Sequence, residues 1–344
     1  MRRALLLLGL IACRSGDDAA DDQPGPVDAE SDGPDGYGCT ALTPRMGAVQ
    51  TFVGPDGLQD RLATLIDSAT TSLDVQMYLF TVKDLAQHIT SARTRGVRIR
   101  VILDPDEAGN NAVEPILTSG GVPWKNAPAI YSYSHAKYLI IDRQTAVIMS
   151  MNFNATAMTM ERNYGFVDRD PEDVTDLQAV FEQDWALANA QQAALPDFTC
   201  TRLIISPVNS NQRILEHIAS ATRTLDIEAL YITDAIVRNY VAAAADRGVV
   251  VRVILEDPND TPDNAGIAAF LMPHDIPVKY AVDQFYLHAK LIIADGVAFV
   301  GSENFSPTSL TQNREIGALI TEADQVVPIQ AQFDADWAIT TPAQ

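Results

Sequence analysis

Two short segments, His135-Ala136-Lys137-Tyr138-Leu139-Ile140-Ile141-Asp142 and His288-Ala289-Lys290-Leu291-Ile292-Ile293-Ala294-Asp295, spell nearly the same word. Each runs on through a second apolar stretch to a Ser-x-Asn ending, Ser150-Met151-Asn152 and Ser302-Glu303-Asn304. In extended backbone, residues two apart share a face, so His135 projects with Lys137 and His288 with Lys290. The apolar residues that follow fit a buried strand. A short turn after Asp142 or Asp295 then leads into a return strand, Ala146-Val147-Ile148-Met149 or Ala298-Phe299-Val300-Gly301. The return brings Ser and Asn back toward the His-Lys pair. Each copy therefore offers an imidazole, an ammonium and two hydrogen-bonding side chains.

Such a set suits phosphodiester chemistry. A neutral imidazole can attack phosphorus, while a second, protonated imidazole on the opposite side gives its proton to the departing oxygen. Lysines and asparagines hold the non-bridging oxygens as negative charge grows in the transition state. A metal-free reaction of this kind requires two histidines, two lysines and two asparagines, and the duplication supplies one of each per copy.

At these residues the chain resembles the phospholipase D superfamily, whose signature is His-x-Lys, four residues, Asp, and then Gly-Ser-x-Asn or Gly-Ser-x-x-Asn. Both copies match the His, Lys, Asp, Ser and Asn positions; the second also has the glycine, Gly301, where the first has Met149. The resemblance implies a phosphohistidine intermediate that water or an alcohol then resolves. It also implies catalytic roles for His135, Lys137, Asn152, His288, Lys290 and Asn304, substrate contact for Ser150 and Ser302, and a structural role for Asp142 and Asp295 in ordering their turns.

In the family, an acidic residue downstream of the motif orients a catalytic imidazole, as a triad carboxylate does. The second copy has Glu315 within Asn313-Arg314-Glu315-Ile316-Gly317. Aligning the glycines sets it against Asn163 in Glu161-Arg162-Asn163-Tyr164-Gly165. Either Glu161 or Asp168 substitutes from a shifted position, or the first imidazole has a neutral partner. By analogy with two-motif members, His135 is taken as nucleophile and His288, with Glu315 near it, as general acid; the opposite assignment stays open.

The repeat extends well beyond the motifs. Phe52-Val53-Gly54-Pro55 corresponds to Ile204-Ile205-Ser206-Pro207, each followed by an amphipathic helix. Ser72-Leu73-Asp74-Val75 corresponds to Thr224-Leu225-Asp226-Ile227, and helices stopping at Gly96 and Gly248 lead into alternating, β-branched strands. Phe181-Glu182-Gln183-Asp184-Trp185 and Phe333-Asp334-Ala335-Asp336-Trp337 lie in closing helices. This pattern predicts an α/β protein of two similar halves, 39–195 and 196–344, each a mixed β-sheet flanked by helices. The halves should pack with pseudo-two-fold symmetry, a monomer imitating a symmetric dimer. The resemblance covers residues 49–339.

The first residues read differently. A basic start, an apolar run over 4–12 and Leu10-Ile11-Ala12-Cys13 resemble a bacterial lipoprotein signal, with cleavage before Cys13 and lipidation of that residue. Residues 13–38, rich in Asp, Gly, Pro and Ala, read as an acidic disordered tether. The expected location is the cell envelope, lipid-anchored, with Arg14 favouring the outer membrane. In an exported protein Cys39 and Cys200 could form a disulfide.

The chain has 24 Lys+Arg against 45 Asp+Glu, a formal net charge of −21. An acidic surface repels a polyanion, so nucleic acid is disfavoured as partner. A membrane tether points to phospholipid. Tyr131, Tyr133, Phe285 and Tyr286 precede the motifs and could line an entrance, or simply pack; Arg162 or Arg314 could join the lysines on a phosphodiester. His88, His217 and His274 show no metal-ligand spacing, and no Gly-rich nucleotide loop stands out, so neither metal nor organic cofactor is expected. The expected activity is hydrolysis of phospholipid headgroups. The alternatives are a cardiolipin-synthase-like phosphatidyl transferase, a metal-independent nuclease and a non-catalytic envelope binding protein.

Overall fold

The computed structural model describes residues 43, 47–194, 198 and 200–343. The expected signal segment, the whole of the tether, Cys13 and Cys39 lie outside the described residues. Cys200 is disulfide-bonded.

In the first half the order is β1 (Val49–Gly54), α1 (Leu58–Asp67), β2 (Ser72–Met77), α2 (Lys83–Thr94), β3 (Arg98–Leu103), α3 (Glu114–Ser119), β4 (Trp124–Asn126), β5 (Lys137–Ile141), β6 (Thr145–Met149), α4 (Ala155–Thr159), β7 (Glu161–Asp168) and α5 (Pro171–Ala188). The second half repeats it with β8 (Leu203–Ser206), α6 (Ser210–Ala219), β9 (Thr224–Ala229), α7 (Ala235–Asp246), β10 (Val250–Leu255), α8 (Asp263–Leu271) and β11 (Val278–Tyr280). It continues through β12 (Tyr286–Leu287), β13 (Lys290–Ala294), β14 (Val297–Gly301), α9 (Pro307–Thr311), β15 (Glu315–Ile320), α10 (Ala323–Ile339) and β16 (Thr341–Pro342).

Each half forms a mixed sheet. The first runs β1-β7-β6-β5-β2-β3-β4 and the second β16-β11-β10-β9-β13-β14-β15-β8. In both, the crossover helices link parallel strands, β2 to β3 and β9 to β10, while the motif hairpins, β5-β6 and β13-β14, are antiparallel. The predicted two-half α/β architecture is what the chain adopts.

Three apolar clusters explain the layering. One lines the outer face of the first sheet with Leu62, Ile66, Leu85 and Ile89 of α1 and α2, and a second does the same for the second sheet with Ile214, Ile218, Val237 and Val241 of α6 and α7. The central cluster joins both halves: Tyr138, Ile148 and Phe166 from one sheet meet Leu291, Val300 and Ile316 from the other, with Phe181 of α5 and Phe333 of α10. Burying strands on both faces accounts for their nearly continuous apolar runs. The two sheets thus face each other across one shared core, which a single half could not cover.

The motif aspartates sit at the turn ends of the hairpins, away from the histidines. Asp142 accepts hydrogen bonds from the backbone N–H groups of Thr70, Thr71 and Ser72, and Asp295 from those of Thr222, Arg223 and Thr224. Both adopt positive φ, 54° and 49°, as a tight primed hairpin turn demands. These hydrogen bonds, above all, hold both carboxyls well below the usual aspartate range, although partial burial opposes them. The turn of one hairpin is thereby pinned to the start of the neighbouring strand. Asp295→Ala should lower folding stability by about 1–3 kcal/mol, the usual range for leaving such donors without their acceptor. An unchanged urea midpoint for this variant would reject the anchoring role.

Candidate active site

β5 begins at Lys137 and β13 at Lys290, so each histidine stands just before a central strand. The backbone there is held by the opposite half. The His135 N–H donates to the Arg314 carbonyl at 2.9 Å, and the His288 N–H donates to the Arg162 carbonyl at 3.1 Å. β12 pairs in parallel with the start of β7, and Ser134 bridges to Arg314 in the same sense. Each histidine segment therefore lies along the edge of a strand belonging to the other half.

The next residue on each of those strands meets the imidazole. Glu315 Oε2 lies 2.8 Å from His135 Nδ1, and Asn163 Oδ1 lies 3.1 Å from His288 Nδ1. This corrects the expectation that Glu315 serves His288. The glycine alignment pairs Asn163 with Glu315 as equivalents, but docking exchanges them between the histidines. Glu161, one of the shifted candidates, sits behind Asn163 and accepts from its Nδ2 at 3.0 Å. Asp168 is at the far end of β7 beside Arg202.

The two imidazoles thus have different surroundings. Burial pushes His135 down, and the Glu315 carboxylate opposes part of that shift. His288 is pushed well down by burial and by Lys290, Lys137 and His135, and it has no bonded carboxylate to oppose them. Burial raises Glu315, but His135, Lys137 and Asn313 outweigh it and keep the carboxyl below its ordinary value.

Both lysines are buried and point their ammonium groups at the carbonyl of the histidine two residues earlier; the Lys290 contact is 2.6 Å. Lys137 is pushed down to about 8 by burial, with Glu315 and Glu303 opposing. Lys290 is driven well below its ordinary value by burial and by Lys137. Asn152 and Asn304 are buried, and their Oδ1 atoms have no hydrogen-bond partner among the described residues. Ser150 and Ser302, expected to touch substrate, are instead fully enclosed. Ser150 Oγ donates to Asn163 Oδ1 at 2.8 Å and accepts the Tyr164 N–H, and Ser302 Oγ accepts the Ile316 N–H. Their role is to brace the orienting strands.

The arginines are also occupied. Arg314 forks onto Asp184 of α5 with both nitrogens at 2.9 Å, and Arg162 forks onto Asp336 of α10 at 2.7 and 3.1 Å. Tyr131 covers Arg314 and Phe285 covers Arg162, with charge-to-ring distances of 4.3 and 5.0 Å. These arginines clamp one half to the other and are unavailable to a phosphate. Tyr133 remains exposed, and Tyr286 borders a surface cavity with Glu256, Asp257, Asp260 and Asp283.

Sequence reasoning missed Tyr78 and Glu303. Tyr78 packs its ring 4.6 Å from that of His135 and lies under Lys137. Its counterpart in the second half is Leu230, so no repeat signal marked it. Glu303 is fully buried, with both oxygens unpartnered among the described residues, and burial drives its carboxyl well upward, toward the neutral acid. A side chain on Gly301 would meet Glu303 Oε2 at 2.3 Å. The first copy has Met149 and Met151 at these two positions, both in the outer apolar cluster. His88 pairs with Asp67, His274 with Asp246, and His217 is buried in α6. Among the described residues no group of three or more His, Cys, Asp or Glu could hold a metal ion, and no helix is long and apolar enough to cross a membrane.

The profile of the family described as "Cardiolipin synthase, PLD-like domain" matches residues 62–185 and 214–337, once in each half. Probable cardiolipin synthase YwiE of Bacillus subtilis is 25% identical over 228 residues, which is 59% of this chain and 45% of that protein. The chain thus spans about half the length of this relative. Phospholipase D Z of Dictyostelium discoideum is 23% identical over 366 residues, covering 81% of this chain and 86% of that protein. The solved phosphatidylserine synthase of Haemophilus influenzae Rd KW20 shares the fold, with a TM-score of 0.67 at 11% identity over 86% of this chain and 87% of that one. With the two motif hairpins brought together and the family profile matched once in each half, the chain belongs to the phospholipase D-like family.

Proposed function

We propose that this chain is a phospholipase D-like phosphodiesterase that cleaves phospholipid headgroups, with His135 as nucleophile and His288 as acid and then base. The observation that carries the assignment is the unequal bonding of the two Nδ1 atoms: His135 faces a carboxylate, His288 an amide. A carboxylate on Nδ1–H strengthens Nε2 as a nucleophile and balances the positive charge of a phosphoimidazole. An imidazole with a neutral partner, set among lysines, gives up its proton more readily.

In the first step His135 Nε2 bonds to phosphorus, the phosphorus–oxygen bond to the leaving alcohol breaks, and that oxygen takes the proton of His288. In the second, water loses a proton to His288 as its oxygen bonds to phosphorus, and the bond to His135 breaks. In this reading Lys137, Lys290, Asn152 and Asn304 hold the non-bridging oxygens. A bound phosphodiester anion offsets the repulsion among Lys137, Lys290 and His288, which restores the proton that His288 must donate.

Relatives named as a probable cardiolipin synthase and a phospholipase D support phospholipid as substrate. The acidic cavity beside Tyr286 disfavours passage of a nucleic-acid strand. A lipid anchor on Cys13 would hold the enzyme at a bilayer. A second reading, transfer to an alcohol in place of water, is favoured by the synthase relatives and needs the same residues.

A panel of phosphatidylcholine, phosphatidylethanolamine, phosphatidylglycerol, cardiolipin and single-stranded DNA, with and without chelator, tests this directly. Headgroup release that survives chelation is expected; DNA cleavage without lipid turnover would replace the reading, and phosphatidyl transfer dominating in added glycerol would select the synthase. His135→Ala should abolish formation of an acid-labile phosphoenzyme, whereas His288→Ala should slow its formation and breakdown by about 10²–10⁴-fold. Label trapped on His288 would reverse the roles. On the alkaline side, kcat/KM should fall as pH rises through about 8, where Lys137 loses its proton. A limb that stays at the ordinary lysine value of 10.5 would reject the lowered value of Lys137.

A further inference from the structure

Glu161-Arg162-Asn163 and Asn313-Arg314-Glu315 hold the same two functional groups in opposite order. Residues two apart on a strand share a face, so each strand presents one Glu and one Asn together. In β15 and the residues before it, Glu315 touches the imidazole and Asn313 donates to Glu315 Oε1 at 3.0 Å from behind. In β7 Asn163 touches the imidazole and Glu161 stands behind.

An amide can present either oxygen or NH2, and a neutral imidazole can carry its proton on either nitrogen. The surrounding bonds remove both choices. Ser150 Oγ accepts the Tyr164 N–H at 3.0 Å, so its own proton goes to Asn163 Oδ1. The Glu161 carboxylate can only accept, and it takes a hydrogen from Asn163 Nδ2 while Thr156 Oγ1 donates to its other oxygen at 2.5 Å. The amide oxygen is thereby turned toward His288, which must carry its proton on Nδ1. Glu161 itself is 3.8 Å from that nitrogen, too far for a direct hydrogen bond.

We propose that Glu161 is a positioning residue: acting through Asn163, it fixes the tautomer of His288 so that Nε2 is the nitrogen that exchanges a proton with leaving group and water. The kinetic consequence rests on the phosphodiesterase reading; the tautomer does not. With the amide reversed, an N–H would face Nδ1, the proton would move to Nε2, and His288 could not take a proton from water in the second step. Burial, Lys290, Lys137 and His135 keep His288 neutral in the free enzyme, against a backbone contact with Ser150, so the tautomer of the neutral ring is the relevant state.

The test is nitrogen NMR of the full chain labelled in histidine, with the His288 signal assigned by its loss in His288→Gln, alongside hydrolysis of bis(p-nitrophenyl) phosphate. Wild type should show the proton on Nδ1. Glu161→Ala should shift His288 toward the Nε2–H form and slow steady-state turnover by about 10–100-fold, with a smaller effect on the initial burst. Glu161→Gln, whose oxygen can still accept from Asn163, should keep the tautomer and stay within about threefold of wild type. The reversed pair E161N/N163E, copying the other half, should also keep Nδ1–H and raise the basicity of His288. An Nε2–H wild type or a Glu161→Ala protein that keeps Nδ1–H would each overturn the proposal; Glu161→Met, which fills the same space without an acceptor, decides the matter in the same way if the alanine variant does not fold. A wild type with the expected tautomer but no phosphodiester cleavage would fault the functional reading alone and support the positioning role.

Discussion

The hydrogen bonds that cross between the halves, from the His135 N–H to the Arg314 carbonyl and from the His288 N–H to the Arg162 carbonyl, fix the rest of the centre. Once those backbones are paired, the residue after each arginine must meet the imidazole, because it follows directly on the strand. The arginine side chain, on the opposite face, reaches Asp184 or Asp336 on a helix of the other half. One short strand therefore places the imidazole's backbone, its orienting group and the clamp between halves. Buried ion pairs of this kind add little net stability but penalise any arrangement that leaves one partner alone. They act here to set the register of the two halves.

The chemistry and the packing are consequently not separable layers. The shared core between the sheets forms only when both halves dock, and docking brings Lys137 and Lys290 into mutual repulsion beside two imidazoles. Burial lowers all four groups, so the free centre holds fewer protons than four exposed side chains would. An anion entering it meets cations that water solvates poorly, the condition in which electrostatic stabilisation is strongest.

Much of this was legible in the sequence because it is local. Strand alternation, the hairpin turns at Asp142 and Asp295, the glycines ending α2 and α7, and the His-Lys-Asn sets all depend on spacing within a few tens of residues. What depends on docking was not legible. The alignment matched Asn163 to Glu315 but could not say which imidazole either would reach, since an exchange between halves leaves the spacing untouched. Ser150 and Ser302 looked like substrate contacts by resemblance and are enclosed because the strands they brace lie inside the molecule. Tyr78 and Glu303 escaped notice because each occurs in only one copy, so a search for repetition passes over them.

The reversed Glu and Asn carry a consequence for symmetry. Two identical chains related by a twofold axis must give both of their imidazoles the same partner, for every substitution is made twice. An assembly of two second halves would surround its centre with two glutamates in contact, and one of two first halves with none. Only where the two copies are encoded separately, as they are in this chain, can a residue change on one side and leave its twin alone. The order of two residues on one strand thus gives the two imidazoles different partners, which a homodimer could not do.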